Sequence, residues 1–172
     1  MACTSDITSG RERVCKNSLG GNAKLYLYNF VSDPFTVVDE EATGVNPLLT
    51  EVFLFELEGD GNTFAENFIG ERQNGTSVNT QTLTTILKQQ DAVTAFTLKK
   101  LVQGYPQAVV EDRNGVFRAI GIDDGIDFTV DASTGGAKTD LNGYTLTGVS
   151  TTGELAPILD SATVTAFLAL VA

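Results

Sequence analysis

Residues 109–120 read VVEDRNGVFRAI, two runs that favour β-structure on either side of Asn114-Gly115. Asn-Gly between such runs is the strongest local signal for a β-hairpin, because a type I′ turn needs a positive φ at both central residues. We therefore predict a strand over 109–113, a second strand over 116–120 and a tight turn between them.

Other segments along the chain also favour strands, because Thr, β-branched and aromatic residues dominate them. They are 24–30, 52–58, 77–87, 128–131 and 144–149. Together with the hairpin they predict a mainly β fold, which is a β-sandwich or barrel of six or more strands.

One amphipathic helix is predicted over 90–102, where Val93, Phe96 and Leu101 fall near one face. Asp91 is placed to cap the start of this helix, because its carboxylate can accept hydrogen bonds from the first-turn amides. We expect this single helix to pack against the strands.

The 172 residues are expected to form a single domain, 1–172. Residues 1–22 are polar and are predicted to form an N-terminal arm. Segment 32–50 contains Pro34, Pro47 and the acidic run Asp39-Glu40-Glu41. It is predicted to be a long loop, or an extended hairpin, that projects from the core, and loops of this length are usually functional or disordered.

Composition argues against several classes of function. The formal net charge is −11 and there is no histidine. A strongly acidic protein repels a phosphate backbone, so tight nucleic-acid binding is not expected. Without histidine the chain lacks the commonest general base and the Ser-His and Cys-His nucleophile pairs. We therefore predict that the protein is not an enzyme.

Charge is distributed unevenly along the chain. The formal charge is +2 in residues 1–24, −10 in 25–71, +3 in 72–118 and −6 in 119–172. Alternating sign suits a surface that meets copies of itself with opposite ends touching. A patchily charged surface with no such partner is the alternative.

The cysteines and the two ends of the sequence give little indication of function. Cys3 and Cys15 either close a small loop by a disulfide or remain reduced thiols. The first twenty residues lack the apolar region of a signal peptide. The apolar run 162–172 is far shorter than the ~20 residues that span a bilayer. We expect no membrane association and synthesis in a cytoplasm.

Motifs that carry chemistry are scarce. Asp123, Asp124, Asp127 and Asp131 form an acidic cluster that suits Ca²⁺ or, more simply, a solvated turn. No phosphate-binding GxxxxGK[ST] motif and no GxSxG motif occurs in the sequence. We predict no catalytic residue, no metal site and no cofactor.

Several short motifs in one order resemble structural proteins of tailed bacteriophages, in particular major tail tube proteins. The resemblance spans nearly the whole chain, and it rests on the order and spacing of the motifs rather than on any one of them. The motifs are Thr8-x-Gly10-Arg11, Cys15-Lys16-Asn17-Ser18-Leu19-Gly20-Gly21, Arg72-x-Asn74-Gly75-Thr76, Gln81-Thr82-Leu83-Thr84, Gly104-Tyr105-Pro106, Val109-Val110-Glu111-Asp112 and Asp140-Leu141-x-Gly143-Tyr144-Thr145-Leu146.

The resemblance implies a virion protein, assembled in the host cytoplasm, whose hexameric rings stack into the phage tail tube. Inner strands would line a channel through which DNA passes during ejection without being bound tightly. Loops and terminal segments would join the rings. Tail sheath, baseplate and terminator proteins would be further partners, and no membrane would be involved.

The surplus of acidic residues then acquires a role, because inward-facing carboxylates repel phosphates and keep DNA sliding. The acidic candidates either face the lumen or meet basic residues of a neighbouring ring; they are Asp39, Glu40, Glu41, Glu56 and Glu58. The basic candidates for contacts between subunits are Arg11, Arg13 and Lys16.

Two other functions remain open from the sequence. One stays within the virion, as a head decoration, head–tail joining or tail terminator protein. The other is a soluble β-barrel that binds a small ligand, or calcium through Asp123–Asp131. Copy number in purified particles separates the first from a tube subunit, and a calcium-dependent melting temperature identifies the second.

Overall fold

A computed structural model describes residues 6–172 as a β-sandwich with two α-helices. The strands in this part of the chain are β1 (Asn22–Tyr28), β2 (Phe35–Val38), β3 (Glu41–Val45), β4 (Phe53–Glu56), β5 (Thr63–Glu71), β6 (Thr76–Lys88), β7 (Gln107–Asp112), β8 (Phe117–Ile120), β9 (Asp127–Ser133), β10 (Gly143–Thr152) and β11 (Ile158–Leu159). The helices are α1 (Ala92–Gln103) and α2 (Ser161–Leu168).

The strands form two sheets. The large sheet has seven strands in the order β2-β3-β11-β8-β7-β1-β4, and the small sheet has four in the order β5-β6-β10-β9. Every pairing is antiparallel except that of β11 with β3. The predicted hairpin is confirmed as β7 and β8, but its turn is not type I′, because Gly115 has a positive φ, of 79°, and Asn114 does not.

The large sheet lies between two apolar layers. Its first face packs against the small sheet and α1, through residues such as Leu25 and Val110 of the large sheet and Leu83 and Leu98 opposite. Its second face packs against α2, where the ring of Phe167 lies among aromatic side chains. Adjacent residues of β1 therefore alternate between two cores, which is the period of a strand buried on both faces.

Buried hydrogen bonds join the small sheet to the loop after β8. The side-chain oxygen of Gln81 on β6 accepts from the backbone N–H of Gly121 at 3.0 Å. The hydroxyl of Ser150 on β10 donates to the carbonyl of Gly125 at 2.8 Å. Buried polar groups of this kind fix the position of one sheet on the other, because shifting them would leave them unpaired.

The predicted mainly β sandwich is confirmed, and the sheets do not close into a barrel. Of the two expectations for 32–50, the extended hairpin forms, but the expectation that the segment projects from the core is wrong. This segment forms the β2–β3 hairpin, and Phe35, Ala42 and Leu49 are buried in the core beneath α2. The prolines that suggested a loop lie just outside the two strands, where a missing N–H costs no ladder hydrogen bond.

The helices differ from the prediction in two ways. Asp91 does cap α1, since its carboxylate accepts from the N–H of Thr94 at 2.8 Å. However, Leu98 is the buried residue of α1, whereas Val93 and Phe96 are exposed. The second helix, α2, was not predicted, so the expectation of one packed helix is wrong. Its sequence SATVTAFL is rich in β-branched residues and resembles a strand.

Candidate assembly surfaces

The small sheet has one face in the core and one face toward solvent, which we call the outer face. Burial alternates along β6 and β10, so every second side chain belongs to this face. The strand registers place these residues side by side. They are Thr63, Ala65, Asn67 and Ile69 of β5, Val78, Thr80, Thr82, Thr84 and Ile86 of β6, Thr145, Thr147, Val149 and Thr151 of β10, and Asp127, Thr129 and Asp131 of β9.

The outer face is rich in hydroxyl groups and poor in positive charge. Its acidic residues Asp127 and Asp131 are both exposed on the edge strand β9. Glu71 and Lys88 lie at the strand ends of the same face. Lys88 forms an ion pair with Glu58 at 3.3 Å, so this cation is already partly neutralised within the protomer.

The small sheet ends in two unpaired edges, β5 and β9, within the described residues. Strand β5 is nine residues long, and its Phe68 and Ile69 are about half exposed. A long edge strand with exposed apolar side chains is a template for pairing with another chain. The edges run in opposite directions, because each of the three intervening pairings is antiparallel. Copies related by rotation would therefore pair β5 with β9 antiparallel.

The predicted acidic candidates belong to the large sheet and its connections rather than to the outer face. Asp39 and Glu40 form the β2–β3 turn with φ values of 50° and 64°, and Glu41 begins β3. Glu56 lies on β4 opposite Lys24 of β1. Burial, together with the charges of Glu154 and Glu66, raises the pKa of the Glu40 carboxyl.

The basic candidates lie in a segment without helix or strand, residues 6–21, which we call the arm. Arg11, Arg13 and Lys16 are exposed there. The ion pairs found between residues 6 and 172 use other cations, namely those of Lys24, Lys88, Arg113 and Arg118. The arm therefore presents three cations to solvent.

One functional-looking group was missed from the sequence, the carboxylate of Glu66 on β5. It accepts from the side-chain nitrogen of Asn79 at 2.7 Å and from the backbone N–H of Ala156 at 2.7 Å. Asn79 also donates to the carbonyl of Glu154 at 3.0 Å. These contacts tie the loop before β11 to the small sheet, so the role of Glu66 is structural. Its neighbours in space are about 13 and 90 residues away in sequence, so no local pattern reveals them.

The acidic cluster is spread over two surfaces. Asp123 and Asp124 lie in the turn before β9, whereas Asp127 and Asp131 lie on the outer face. Among residues 6–172 no group of three or more His, Cys, Asp or Glu side chains is placed to hold a metal ion. Cys15 is exposed, and Cys3 lies outside the described residues, so their pairing stays a prediction.

In the part of the chain that the structure describes, neither helix is long and apolar enough to cross a membrane. Comparisons with protein-family models, with curated proteins and with solved structures found no match to this chain. The class established by the coordinates is a two-sheet β-sandwich.

Proposed function

We propose that this chain is a virion structural protein, the subunit that polymerises into the tail tube of a tailed bacteriophage. The observation that carries the proposal is the small sheet, which is antiparallel, unpaired at both edges among the described residues and rich in threonine on its outer face. The order of motifs in the sequence supports the same assignment.

In this proposal the ring wall forms when β5 of one subunit pairs with β9 of the next. Each contact satisfies a row of backbone groups that the isolated protomer leaves open to solvent, and ring closure removes every free edge of the small sheet. Exposed Phe68, which lies on the face of β5 opposite the outer face, becomes covered at the same time. The rings are expected to be hexameric, as the family resemblance implies.

The outer face of the small sheet then lines the channel. Threonine hydroxyls give a wetted wall, and Asp127 and Asp131 repel the phosphates of passing DNA. The one cation of this lining among the described residues is Lys88, which is paired with Glu58, so the wall offers few phosphate contacts and DNA slides rather than binds. In this assignment Asp127 and Asp131 face the lumen. The other acidic candidates take part in contacts made by the large sheet and its connections; they are Asp39, Glu40, Glu41, Glu56 and Glu58.

The large sheet and α2 face away from the channel. The arm and the β2–β3 turn are available for contacts between stacked rings, where charges of opposite sign attract. Tail sheath, baseplate and terminator proteins are the further partners of this role. The protein has no catalytic task in it.

Electron microscopy of the purified chain and of particles that contain it tests the proposal. We expect hollow stacked rings, and a copy number in purified particles that matches a repeating tube. The variant Phe68→Lys, which places a charge beside the β5 edge, should block ring formation. Leu168→Lys on exposed α2 is the matched control and should assemble normally.

Two results would count against the tube. A few copies per particle would instead indicate a joining or terminator protein. A protein that stays monomeric in solution at high concentration, and that forms no repeating contacts in particles, would show that it does not polymerise.

A further inference from the structure

Asn-Gly occurs three times in the sequence, and each pair lies beside a strand of the sandwich. Asn74-Gly75 lies in the turn between β5 and β6, Asn114-Gly115 in the turn between β7 and β8, and Asn142-Gly143 at the start of β10. The three pairs contain the same two residues, so any difference in their reactivity comes from the fold or from the flanking residues.

The chemistry available to an Asn-Gly pair is loss of the side-chain amide. The backbone nitrogen of glycine attacks the side-chain carbonyl carbon of asparagine, and the new C–N bond closes a five-membered succinimide. The side-chain nitrogen leaves as ammonia, together with the proton of the attacking N–H. Water then adds to one of the two ring carbonyls and breaks a C–N bond, which yields aspartate or isoaspartate. Glycine favours the attack because it has no Cβ to obstruct the approach or to restrict the backbone.

The turn that holds Asn74 leaves both reacting groups free. Asn74 and Gly75 are exposed. Among residues 6–172, no hydrogen bond engages the side chain of Asn74 or the backbone N–H of Gly75. Within the turn, Gln73 donates its N–H to the carboxylate of Glu71 at 3.0 Å, which involves neither reacting group. The space beside Gly75 is also open, so the peptide has room to rotate toward the side chain of Asn74.

The pair at Asn114 is equally exposed, but hydrogen bonds occupy its reacting groups. The side-chain oxygen of Asn114 accepts from the N–H of Leu19 at 2.9 Å, and its side-chain nitrogen donates to the carbonyl of Leu19 at 2.8 Å. The attacking group is held as well, because the N–H of Gly115 donates to the carbonyl of Asp112 at 3.1 Å. Succinimide formation at Asn114 therefore requires these hydrogen bonds to break first.

The pair at Asn142 is held by the sheet. The carbonyl of Asn142 accepts from the N–H of Gln89 at 2.7 Å, which fixes the peptide between Asn142 and Gly143. Gly143 is buried in β10, between β6 and β9. The backbone of β6 approaches so closely that a Cβ on Gly143 would collide with the carbonyl of Leu87. Rotation of this peptide toward the side chain of Asn142 would require the start of β10 to leave the sheet.

We propose that Asn74 is a modification site, at which spontaneous deamidation converts the side-chain amide to the carboxylate of aspartate or isoaspartate. The product adds a negative charge to the β5–β6 turn of a chain whose net charge is already −11. Isoaspartate also adds a methylene group to the main chain between Glu71 and Thr76, the last residues paired across this hairpin. The reaction consumes only water and needs no partner subunit, so the inference does not depend on the proposed function.

Incubation of the full-length protein in mildly alkaline heavy-oxygen water tests the site. Heavy oxygen enters each succinimide as it opens, so mass spectrometry of proteolytic peptides measures the deamidation that occurs during the incubation. Asn74 should deamidate faster than Asn114 and Asn142 by about tenfold or more, because the fold must open locally at the other two pairs. Equal rates at the three pairs, or a faster reaction at Asn114 or Asn142, would overturn the proposal.

The same incubation in denaturant separates the effect of the fold from that of the flanking residues. The residues that follow the three pairs differ, since they are Thr76, Val116 and Tyr144. In the unfolded chain the three rates should converge, because no hydrogen bond or strand pairing then protects Asn114 or Asn142. A preference for Asn74 that is as large in the unfolded chain as in the folded protein would overturn the structural basis of the proposal.

A variant of the arm tests the protection of Asn114 directly. Leu19→Pro removes the N–H that donates to Asn114, so deamidation at Asn114 should speed up by about fivefold while the rate at Asn74 stays unchanged. Leu19 is 63% exposed, so the substitution disturbs no core packing. Val14→Pro, elsewhere in the arm, is the matched control and should change neither rate. An unchanged rate at Asn114 in Leu19→Pro would show that these hydrogen bonds do not rank the sites, which contradicts the proposal.

Discussion

Leu19 and Asn114 exchange two hydrogen bonds across a separation of 95 residues. The backbone N–H of Leu19 donates to the side-chain oxygen of Asn114 at 2.9 Å, and the Asn114 amide nitrogen donates to the carbonyl of Leu19 at 2.8 Å. This pair fixes the point where the arm leaves the sandwich. It also places the C-terminal end of the arm beside the β7–β8 turn. The hairpin that contains this turn is the element that the sequence predicts most clearly.

Replacing this asparagine should release the arm without unfolding the domain. Asn114→Ala removes both hydrogen bonds to Leu19, so amide exchange at Leu19 should speed up by about fivefold, as expected for losing about 1 kcal/mol of local protection. The control is Asn74→Ala, at the β5–β6 turn. Hydrogen exchange at single-residue resolution measures both, and equal protection at Leu19 in the two variants contradicts the anchoring role.

Two buried tyrosines on β1 should respond oppositely to loss of their hydroxyl groups. Tyr26 donates to the carboxylate of Glu111 at 3.1 Å, whereas the hydroxyl of Tyr28 has no hydrogen-bond partner among the described residues. Tyr26→Phe should cost about 1 kcal/mol of unfolding free energy. Tyr28→Phe should be neutral or stabilising, because it removes an unpaired buried polar group. Denaturant unfolding measures the unfolding free energy of both variants. A large loss of unfolding free energy in Tyr28→Phe would contradict the prediction that its hydroxyl is unpaired.

The same tyrosines predict alkaline sensitivity. Burial raises the pKa of Tyr28, and burial with the Glu111 charge raises the pKa of Tyr26. The unfolded chain releases these protons near pH 10, before the folded protein does, so the folded state loses stability as the pH rises further. Between pH 9 and 11, each Tyr→Phe variant should therefore lose less unfolding free energy than the unmodified protein does. Thermal unfolding at each pH measures the difference.

Acid sensitivity should trace in part to the cap of α1. Hydrogen bonds from the Thr94 side chain at 2.6 Å and from its backbone lower the pKa of Asp91. A lowered pKa gives a contribution that is present above the unfolded pKa, near 4, and is lost as the pH falls through the folded value. Asp91→Asn should thus cost stability at pH 7 but progressively less toward pH 3.

Glu51→Gln is the control for this series, since it removes an exposed carboxylate away from either helix cap. Its unfolding free energy should follow that of the unmodified protein at every pH. A difference between Asp91→Asn and the unmodified protein that does not shrink in acid would show that the charge of Asp91 plays no part in the cap.

Charge reversal on the outer face tests the lining of the channel. Asp127→Lys with Asp131→Lys should leave assembly intact and slow DNA delivery, because cations along the wall bind phosphates. Asp39→Lys with Glu41→Lys, on the large sheet, should leave the delivery rate unchanged if assembly proceeds. Single-particle ejection assays measure the rate, and slowing only in the second variant would place the lumen on the large sheet.

Local patterns in the sequence predicted the elements whose signals are short in range. Asn114-Gly115 marked the hairpin and Asp91 marked the start of α1, since turn and cap chemistry act over a few residues. Strand β5 escaped prediction because Glu66 occupies a core-facing position, where its partners are distant in sequence. Helix α2 escaped because burial against Tyr26 and Tyr28 overrides its weak helix propensity.

The surfaces were harder to predict than the elements. The sequence predicted a strand over 77–87, but not which face of β6 is covered by the other sheet, because that depends on long-range pairing. The acidic run at Asp39 was expected to project on a loop or an extended hairpin; the hairpin forms as β2–β3, but it joins the large sheet through β11 instead of projecting. The predicted arm, 1–22, stays a prediction; of it the structure describes residues 6–21, which contain no helix or strand, and Asn22, which begins β1.

The pairing of β5 with β9 between subunits is the central claim, and a side-chain-resolution electron-microscopy reconstruction of the assembled particle measures it most directly. We expect a hollow tube whose wall is a continuous antiparallel sheet, with Asp127 and Asp131 directed into the lumen. A reconstruction in which β5 and β9 remain unpaired, or in which the lumen is lined by the large sheet, would contradict the account.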